Sequence, residues 1–327
     1  MHNDFALLRQ RIAAAGLFDR QPLYYTWNIL FVTGLLFSAA LIILAAEHLW
    51  IVLLAAVFCA FVYGQIGLLG HDAGHRQIFR STWKDVMTSY ACALCLGISA
   101  KWWIQKHNTH HTHPNRHDMD PDIDFPMLAF SQEQVQGKRG FFRFLVRYQS
   151  ILFFPLLCLT SVSLRTGSIQ FLLGKPLREV WLDLFFILLH FTLYVAVLFW
   201  LLPPLSALLF IIVHQLLWGL YMGSIFAPNH KGMPVLDKDA PMDFLREQAL
   251  TARNIRSHPL INCWYGGLNF QIEHHLFPTM PRNNLPRAQR IVKQYCASLA
   301  IPYHETGFLQ SYAEILTHLY HVAAPLR

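Results

Sequence analysis

The sequence predicts an all-α integral membrane protein with four transmembrane helices, arranged as two hairpins, and a cytosolic helical cap. Three observations predict this class. Hydrophobic residues make up 54% of the 327 residues and charged residues only 14%, against about 25% charged residues in soluble domains. Four apolar stretches of about twenty residues are long enough to cross a hydrocarbon core of roughly 30 Å. All 26 lysines and arginines lie outside these stretches and outside the two tight turns that join them.

The four predicted spans pair into two hairpins because each pair is joined by a very short turn. Glu47-His48 makes the first turn, so the first hairpin covers residues 27–70. Pro203-Pro204 makes the second turn, so the second hairpin covers residues 181–226. One acidic residue, Asp183, lies near the edge of the third span. In chain order the spans are Trp27–Ala46, Leu49–Gly70, Trp181–Leu202 and Leu205–Phe226.

The segments on either side of the hairpins complete a single domain of residues 1–327. Residues 1–26 are predicted to form an amphipathic helix on the membrane surface, with Phe5, Leu8 and Ile12 on its apolar side. Residues 227–327 are predicted to form the cytosolic cap. No cleavable signal, internal repeat or flexible linker is evident in the sequence, so nothing divides the chain further.

Residues 71–180 are predicted to be a cytosolic or interfacial region, and two apolar stretches within it fit a span poorly. Val86–Ala100 is short for a span, so we expect an interfacial or re-entrant segment. Phe141–Leu164 is also apolar, but it contains Arg143 and Arg147. Because charges are costly inside the hydrocarbon core, we expect this stretch to form an amphipathic helix on the surface.

The distribution of basic residues predicts the orientation of the chain. Every lysine and arginine falls in residues 1–26, 71–180 or 227–327, which four spans place on one side of the membrane. Cytoplasmic loops carry an excess of lysine and arginine. We therefore expect both termini, and the histidine clusters described next, to be cytoplasmic.

Three histidine clusters each lie beside a strongly apolar segment. Their imidazoles are spaced by three or four residues or are adjacent, which places the side chains of a cluster on one side of a helix. A further histidine, His230, follows the fourth span. The clusters are His71-Asp72-Ala73-Gly74-His75, His107-Asn108-Thr109-His110-His111 and Gln271-Ile272-Glu273-His274-His275.

Clustered imidazoles predict a metal centre. Neutral imidazoles gain nothing from being packed together and charged ones repel each other, whereas a metal ion coordinates the deprotonated nitrogens. Imidazole suits zinc, copper, iron and nickel, and one zinc takes only three or four protein ligands. Eight imidazoles therefore indicate two metal ions, and dinuclear iron that activates dioxygen is the best chemical match beside a membrane. The candidate ligands are His71, His75, His107, His110, His111, His230, His274 and His275.

The order and spacing of these boxes resemble the membrane fatty acid desaturase superfamily over most of the chain, from Trp27 to Pro281. In that family the boxes bind two irons, and a histidine after the fourth span, matched here by His230, completes the set. Gln271 stands where many members have histidine and is typical of the delta-6-type front-end branch. Further strings carry the resemblance: Ala227-Pro228-Asn229-His230 and Gly266-Gly267-Leu268-Asn269-Phe270.

The resemblance implies an oxygen-dependent enzyme that introduces a cis double bond into an acyl chain held as acyl-CoA, on an acyl carrier protein or in a lipid. Its cofactors would be two iron ions, with dioxygen as co-substrate. Front-end members often carry a fused cytochrome b5-type domain with a His-Pro-Gly-Gly motif, but His258-Pro259 is followed here by Leu260-Ile261. Electrons are therefore expected from a separate ferredoxin or cytochrome b5-type protein. Membrane lipids are expected partners and nucleic acids are not.

Four residues near the boxes are candidates for indirect roles at the metal centre, and no catalytic residue is expected beyond it. Asp72 and Glu273 are predicted either to orient ligand imidazoles or simply to be solvated. Asn229 is predicted to hold a metal-bound water or, in preference, to cap a helix end. Gln271 is a candidate for a water-mediated contact.

Other features have simpler interpretations. The acidic run Asp118–Asp124 lacks the spacing of a calcium loop and is expected to pair with nearby basic residues. Arg253 and Arg256 are expected either to bind an anionic headgroup or only to follow the charge rule. The cysteines, including the Cys92 and Cys95 pair, are expected to be free thiols.

Three alternative functions remain open. A hydroxylase or an acetylenase would use the same metal centre with a different product. A membrane zinc hydrolase is more distant, because the chain lacks a His-Glu-x-x-His motif and has too many ligands for one zinc. A metal carrier would need ligands along a path inside the bilayer, whereas the clusters lie outside the predicted spans.

Overall fold

The computed structural model describes residues 4–327, and this part of the chain is predominantly helical. Two short strands, β1 Asn254–Ile255 and β2 Glu305–Thr306, pair in parallel. Two 3-10 helices lie at Arg282–Asn284 and Ala324–Leu326. The α-helices are α1 Asp4–Ala14, α2 Pro22–Leu44, α3 Leu49–Gly74, α4 Thr82–Leu96, α5 Ala100–Thr112, α6 Gln132–Gln136, α7 Gly140–Arg147, α8 Gln149–Leu157, α9 Thr160–Leu173, α10 Leu177–Leu201, α11 Pro204–His230, α12 Phe244–Leu250, α13 Pro259–Tyr265, α14 Gln271–Leu276, α15 Leu285–Ser298 and α16 Phe308–Val322.

Four helices in the described residues, α2, α3, α10 and α11, are long and apolar enough to cross a membrane, with lengths of 23, 26, 25 and 27 residues. This confirms the four predicted apolar spans. Two of the helices continue four residues beyond the predicted ends, α3 to Gly74 and α11 to His230. The first histidine box and His230 therefore lie on the final turns of spanning helices, because neither Gly70 nor Pro228 ends its helix.

The prediction of one amphipathic helix over Phe141–Leu164 is wrong, because this stretch contributes to three helices, α7, α8 and α9. Helices α8 and α9 meet at an angle of 72° and together are apolar enough for a broken span or a re-entrant loop. Pro155, inside α8, has no N–H for the helical hydrogen-bond ladder and so weakens this helix just before the bend. Up to five spans are therefore compatible with the length and composition of these helices.

The described chain forms two compact units. The first contains residues 4–19, 106–154 and 224–327, and the second contains residues 20–105 and 155–223.

The first unit has a hydrophobic core that includes the N-terminal helix. Leu8 and Ile12 of α1 are fully buried and pack in one cluster with Leu245 of α12, Ile272 of α14 and Val292 of α15. The apolar side of α1 is thus covered by protein. Helix α1 covers only part of the predicted segment 1–26, of which residues 1–3 lie outside the described residues. The expectation that its apolar side lies on the membrane surface is corrected by this packing.

In the second unit, Asp183 lies in the second turn of α10, six residues after Leu177. It is 1% exposed, and its carboxylate accepts hydrogen bonds from Ser99 Oγ at 2.7 Å, Tyr90 OH at 3.1 Å and the Lys101 backbone N–H at 3.1 Å. Ser99 Oγ in turn accepts the backbone N–H of Trp102 at 3.1 Å. Asp183 and Ser99 therefore cap the start of α5, the helix that carries the second histidine box.

Candidate metal centre

Each histidine box lies on or directly after a helix, as the spacing of its imidazoles predicted. The first box occupies the end of α3 with His75 at its C-cap, the second lies in α5 and the third lies in α14. Within the first unit the second box, the third box and His230 come together, although up to 168 positions separate them in the chain. Their ligand nitrogens form two groups.

The first group consists of His110, His230 and His275, which are 2%, 4% and 1% exposed. The Nε2 atom of His230 lies 3.2 Å from Nε2 of His110 and 3.0 Å from Nε2 of His275. The three imidazoles thus direct the same ring nitrogen towards one point in the protein interior.

The opposite nitrogens of these rings determine which tautomer each histidine adopts. His110 Nδ1 contacts both carboxylate oxygens of Asp120 at 2.9 and 3.0 Å. His230 Nδ1 lies 2.9 Å from the Thr251 carbonyl oxygen, and His275 Nδ1 lies 2.8 Å from Gln248 Oε1. These oxygens only accept hydrogen bonds, so each Nδ1 carries the proton.

Three unprotonated Nε2 atoms therefore face one another, and each presents a lone pair. Two lone pairs separated by about 3 Å repel unless a cation or a proton lies between them. Metal-bound histidines in proteins usually have this arrangement, in which the second nitrogen donates to a carboxylate or a carbonyl. The donor set of this group therefore fits a metal ion that prefers nitrogen ligands.

The second group in the same unit consists of His107, His111 and His274, whose ligand nitrogens lie within 4.8 Å of one another. The Nε2 atoms of His107 and His111 are 3.1 Å apart. The rings of His111 and His274 are perpendicular, with centroids 4.7 Å apart. His274 and His275 are neighbours in α14, so adjacent residues of one box belong to different groups.

The first box lies in the second unit, where His71 and His75 have ring centroids 4.7 Å apart. Trp103 packs against both rings, and Gly74 leaves room for it, since a Cβ at this position would lie 2.5 Å from the indole. Asp72 Oδ1 is 3.3 Å from His71 Nδ1, and Tyr25 donates to its other carboxylate oxygen at 3.2 Å. Burial, and then His71, lower the pKa of His75 well below its ordinary value, which keeps the imidazole neutral.

Asn229 and Gln271 both lie next to His230. Asn229 donates its amide N–H to Gln271 Oε1 at 3.0 Å, and Gln271 Nε2 lies 2.9 Å from His230 Nε2. The side chain of Asn229 therefore links two helices rather than capping one, which corrects the preferred expectation for this residue. Its Oδ1 atom is buried and has no hydrogen-bond partner within residues 4–327.

Glu273 faces away from the imidazoles of its own box. Its carboxylate accepts hydrogen bonds from Asn254 Nδ2 and Tyr303 OH, both at 2.7 Å. Asn254 Oδ1 also accepts the backbone N–H of Ile272 at 2.9 Å. Burial raises the pKa of Glu273 to about 7, against the opposing effect of these hydrogen bonds. These contacts join the third box to strand β1 and hold α14 in place.

Sequence reasoning missed the three groups that orient the first group of histidines: Asp120, Gln248 and the Thr251 carbonyl. Asp120 lies in the acidic run after the second box. A negative charge close in sequence to a cluster of imidazoles was the feature that could have indicated its role in orienting His110. Burial works to raise the pKa of Asp120, but His110, Lys231 and a backbone N–H outweigh it, so the pKa is lowered. No feature of the sequence distinguishes Gln248 or Thr251.

The acidic run itself is ordered by nearby basic residues, as predicted. Lys106 forms an ion pair with the Asp122 carboxylate, and Lys231 donates to the Asp122 carbonyl. The prediction of free thiols also holds for all six cysteines.

Arg253 is a buried structural residue, and it does not present its charge to a headgroup. Its side chain is 0% exposed and forms an ion pair with Glu314 at 2.6 Å. The guanidinium also donates to the carbonyls of Pro228 and Lys231, both at 2.7 Å. These carbonyls surround the end of α11, so Arg253 fixes the turn that carries His230.

Comparison with known proteins adds an independent line of information. Residues 47–307 match the family model for fatty acid desaturases. The chain is 32% identical to an acyl-lipid (9-3)-desaturase of Physcomitrium patens, over 98% of this chain and 62% of that protein. It is 31% identical to a delta(8)-fatty-acid desaturase of Euglena gracilis, over 92% of this chain and 74% of that protein. It is 30% identical to a delta(6)-fatty-acid desaturase of Caenorhabditis elegans, over 99% of this chain and 75% of that protein.

Proposed function

The chain belongs to the fatty acid desaturase family, and we propose that it is a membrane-bound, oxygen-dependent desaturase that introduces a cis double bond into an acyl chain at a histidine-ligated diiron centre. The single observation that best supports this proposal is the group of His110, His230 and His275. His230 Nε2 lies 3.2 Å from His110 Nε2 and 3.0 Å from His275 Nε2, while Asp120, Thr251 and Gln248 occupy the opposite nitrogens.

We assign the two irons to the two histidine groups. His110, His230 and His275 would hold one iron, with Asn229 or Gln271 contacting it through water. His107, His111 and His274 would hold the other. His71 and His75 are proposed as further metal ligands. The assignment of His71 and His75 rests on the resemblance of the first box to the family pattern and on the neutral state of His75.

When bound, the two irons would supply the redox chemistry that activates dioxygen and removes hydrogen from unactivated C–H bonds. A donor protein supplies the electrons that balance the proposed reaction. Two hydrogens leave neighbouring carbons of the acyl chain, and dioxygen is reduced to two waters by these hydrogens together with two external electrons and two protons.

The residues of the chain contribute geometry and exclusion of water. Asp120, Gln248 and the Thr251 carbonyl fix the direction of three imidazoles, so these ligands do not have to reorganise during the reaction. Arg253 and Glu273 hold the two helices that carry His230 and His275. Seven of the eight candidate imidazoles are buried and His107 is partly buried, which limits the access of bulk water to the site.

We propose the substrates and partners of this chain by analogy with its relatives. The relative from Physcomitrium patens is named as an acyl-lipid (9-3)-desaturase, and others as delta(8) and delta(6) desaturases. We propose a front-end reaction on a lipid-bound or carrier-bound acyl chain. We also propose a ferredoxin or cytochrome b5-type protein as the electron donor.

The proposed topology has four spans in two hairpins, with α8 and α9 as a re-entrant segment and the histidine boxes on the cytoplasmic side. The distribution of lysine and arginine supports it, since all of them lie in the segments that four spans place on one side.

Expression in a host of known lipid composition tests the proposed function. We expect new acyl species that are two mass units lighter than a host fatty acid, with a cis double bond located by fragmentation mass spectrometry. The His110→Ala variant is the control and should lack these species. Hydroxylated or triple-bonded products would contradict desaturation. Unchanged host lipids in the presence of iron and a competent donor would also contradict it.

A further inference from the structure

Helix α7 presents an exposed aromatic surface that the proposed reaction does not use. Phe141, Phe142 and Phe144 are 68%, 43% and 55% exposed, and Tyr148, directly after the helix, is 38% exposed. Soluble proteins rarely expose several large aromatic side chains together, and such a patch marks a surface that binds a partner or a membrane.

Three arginines accompany these aromatic residues at intervals of four positions: Arg139, Arg143 and Arg147. Arg143 and Arg147 are four residues apart in α7 and so lie on one side of this helix, and Arg139 is the N-cap residue directly before it. All three are exposed. The whole stretch 134–178 contains no aspartate or glutamate, so no carboxylate within it neutralises these arginines. We call the three arginines with Phe141, Phe142, Phe144 and Tyr148 the α7 face.

The opposite side of α7 is anchored in the first unit, which means that the α7 face is held outward by the fold. Leu145 and Val146 are 9% and 0% exposed. Val146 packs in a cluster with Val135, Val322 and Leu326, from α6 and the C-terminal segment. The helix is therefore already folded and oriented before any partner binds, so binding does not have to order it.

We propose that the α7 face docks on the headgroup layer of the membrane and prefers anionic phospholipids. Aromatic rings beside arginines suit the membrane interface, where the rings enter the acyl boundary and the guanidiniums contact phosphates. The chain then continues into α8, where Ile151 and Phe154 are 76% and 41% exposed, and into the apolar bent pair. An acidic protein partner would match the arginines, but it would leave this run of exposed apolar side chains unexplained.

The proposal does not depend on the proposed reaction, because it concerns only the phospholipids that contact the α7 face. The test uses the full chain, purified in mild detergent from a membrane that contains phosphatidylglycerol and phosphatidylcholine. We expect the purified protein to retain phosphatidylglycerol in preference to phosphatidylcholine. The triple variant Arg139→Gln, Arg143→Gln and Arg147→Gln should weaken this preference by about fivefold for each arginine removed. Lipid mass spectrometry of the purified protein measures the ratio.

A matched control removes the same charge from another surface. Arg9, Arg287 and Arg290 are also exposed, in α1 and α15, and their replacement by glutamine should leave the lipid ratio unchanged. Thermal unfolding checks that both variants are folded. Equal ratios in the wild type and both variants would overturn the proposal. An unchanged ratio combined with a raised KM for the electron-donor protein would also overturn it, and would make the α7 face a protein docking site.

Discussion

Replacing His275 by alanine is expected to abolish double-bond formation, with product falling at least about a hundredfold. His275 contributes one of three mutually facing Nε2 atoms, and its Nδ1 is held by Gln248 at 2.8 Å. Without this imidazole, the first group would offer an iron only two histidine ligands, His110 and His230. The measurement is the amount of new unsaturated acyl chain per milligram of purified enzyme, with the iron content of the same sample.

The control for this variant is His321→Ala, which removes an exposed histidine near the end of α16. It should retain full activity and the full iron content. Thermal unfolding distinguishes loss of a ligand from loss of the fold, because the His275→Ala protein should still unfold cooperatively. Undiminished product from a folded His275→Ala protein would remove His275 from the ligand set.

The Asp120→Asn variant is expected to lose roughly tenfold to a hundredfold in metal affinity. Both carboxylate oxygens accept hydrogen bonds, from His110 Nδ1 and from the backbone N–H groups of Asn115 at 2.7 Å and Asp122 at 2.8 Å. An asparagine has only one acceptor oxygen, so its NH2 group would face a donor. The His110 ring would then lose its orientation or its tautomer. Iron retained during titration with a chelator measures the effect.

The matched control is Asp124→Asn, which removes a carboxylate from the same acidic run at an exposed position. Its metal affinity should equal that of the wild type. If both variants release iron at the same chelator concentration, and this concentration is lower than for the wild type, the charge of the acidic run affects metal affinity and the contact with His110 does not.

The family and the helical class could be predicted from the sequence because both depend on local patterns. An apolar stretch of about twenty residues and an imidazole at every third or fourth position are visible without any knowledge of tertiary contacts. The family assignment confirms the resemblance seen in the boxes. The continuous helices show that His71 and His230 lie on the last turns of α3 and α11 rather than in the loops that follow these helices.

The parts that could not be predicted depend on contacts between distant residues. Gln248 and Thr251 orient imidazoles that lie 27 and 21 positions away, and nothing in their neighbourhood indicates this role. Arg253 follows the charge pattern of a cytoplasmic loop, yet its guanidinium is used inside the protein. The 72° bend between α8 and α9 is not visible in the hydrophobic pattern of this stretch, although Pro155 lies just before it.

The same limit applies to the N-terminal helix. The apolar pattern of Leu8 and Ile12 is compatible with either a membrane surface or a protein core, because both environments remove the side chains from water. Only the packing of α1 against α12, α14 and α15 decides between them.

The central claim is that the histidine boxes hold two iron ions. Metal analysis of the purified full chain, normalised to protein by amino-acid analysis, tests it most directly. The proposal predicts two irons per active chain, falling together with activity when a chelator removes them and returning with activity when ferrous iron is added. One tightly bound zinc per chain, with activity that is indifferent to iron, would contradict it.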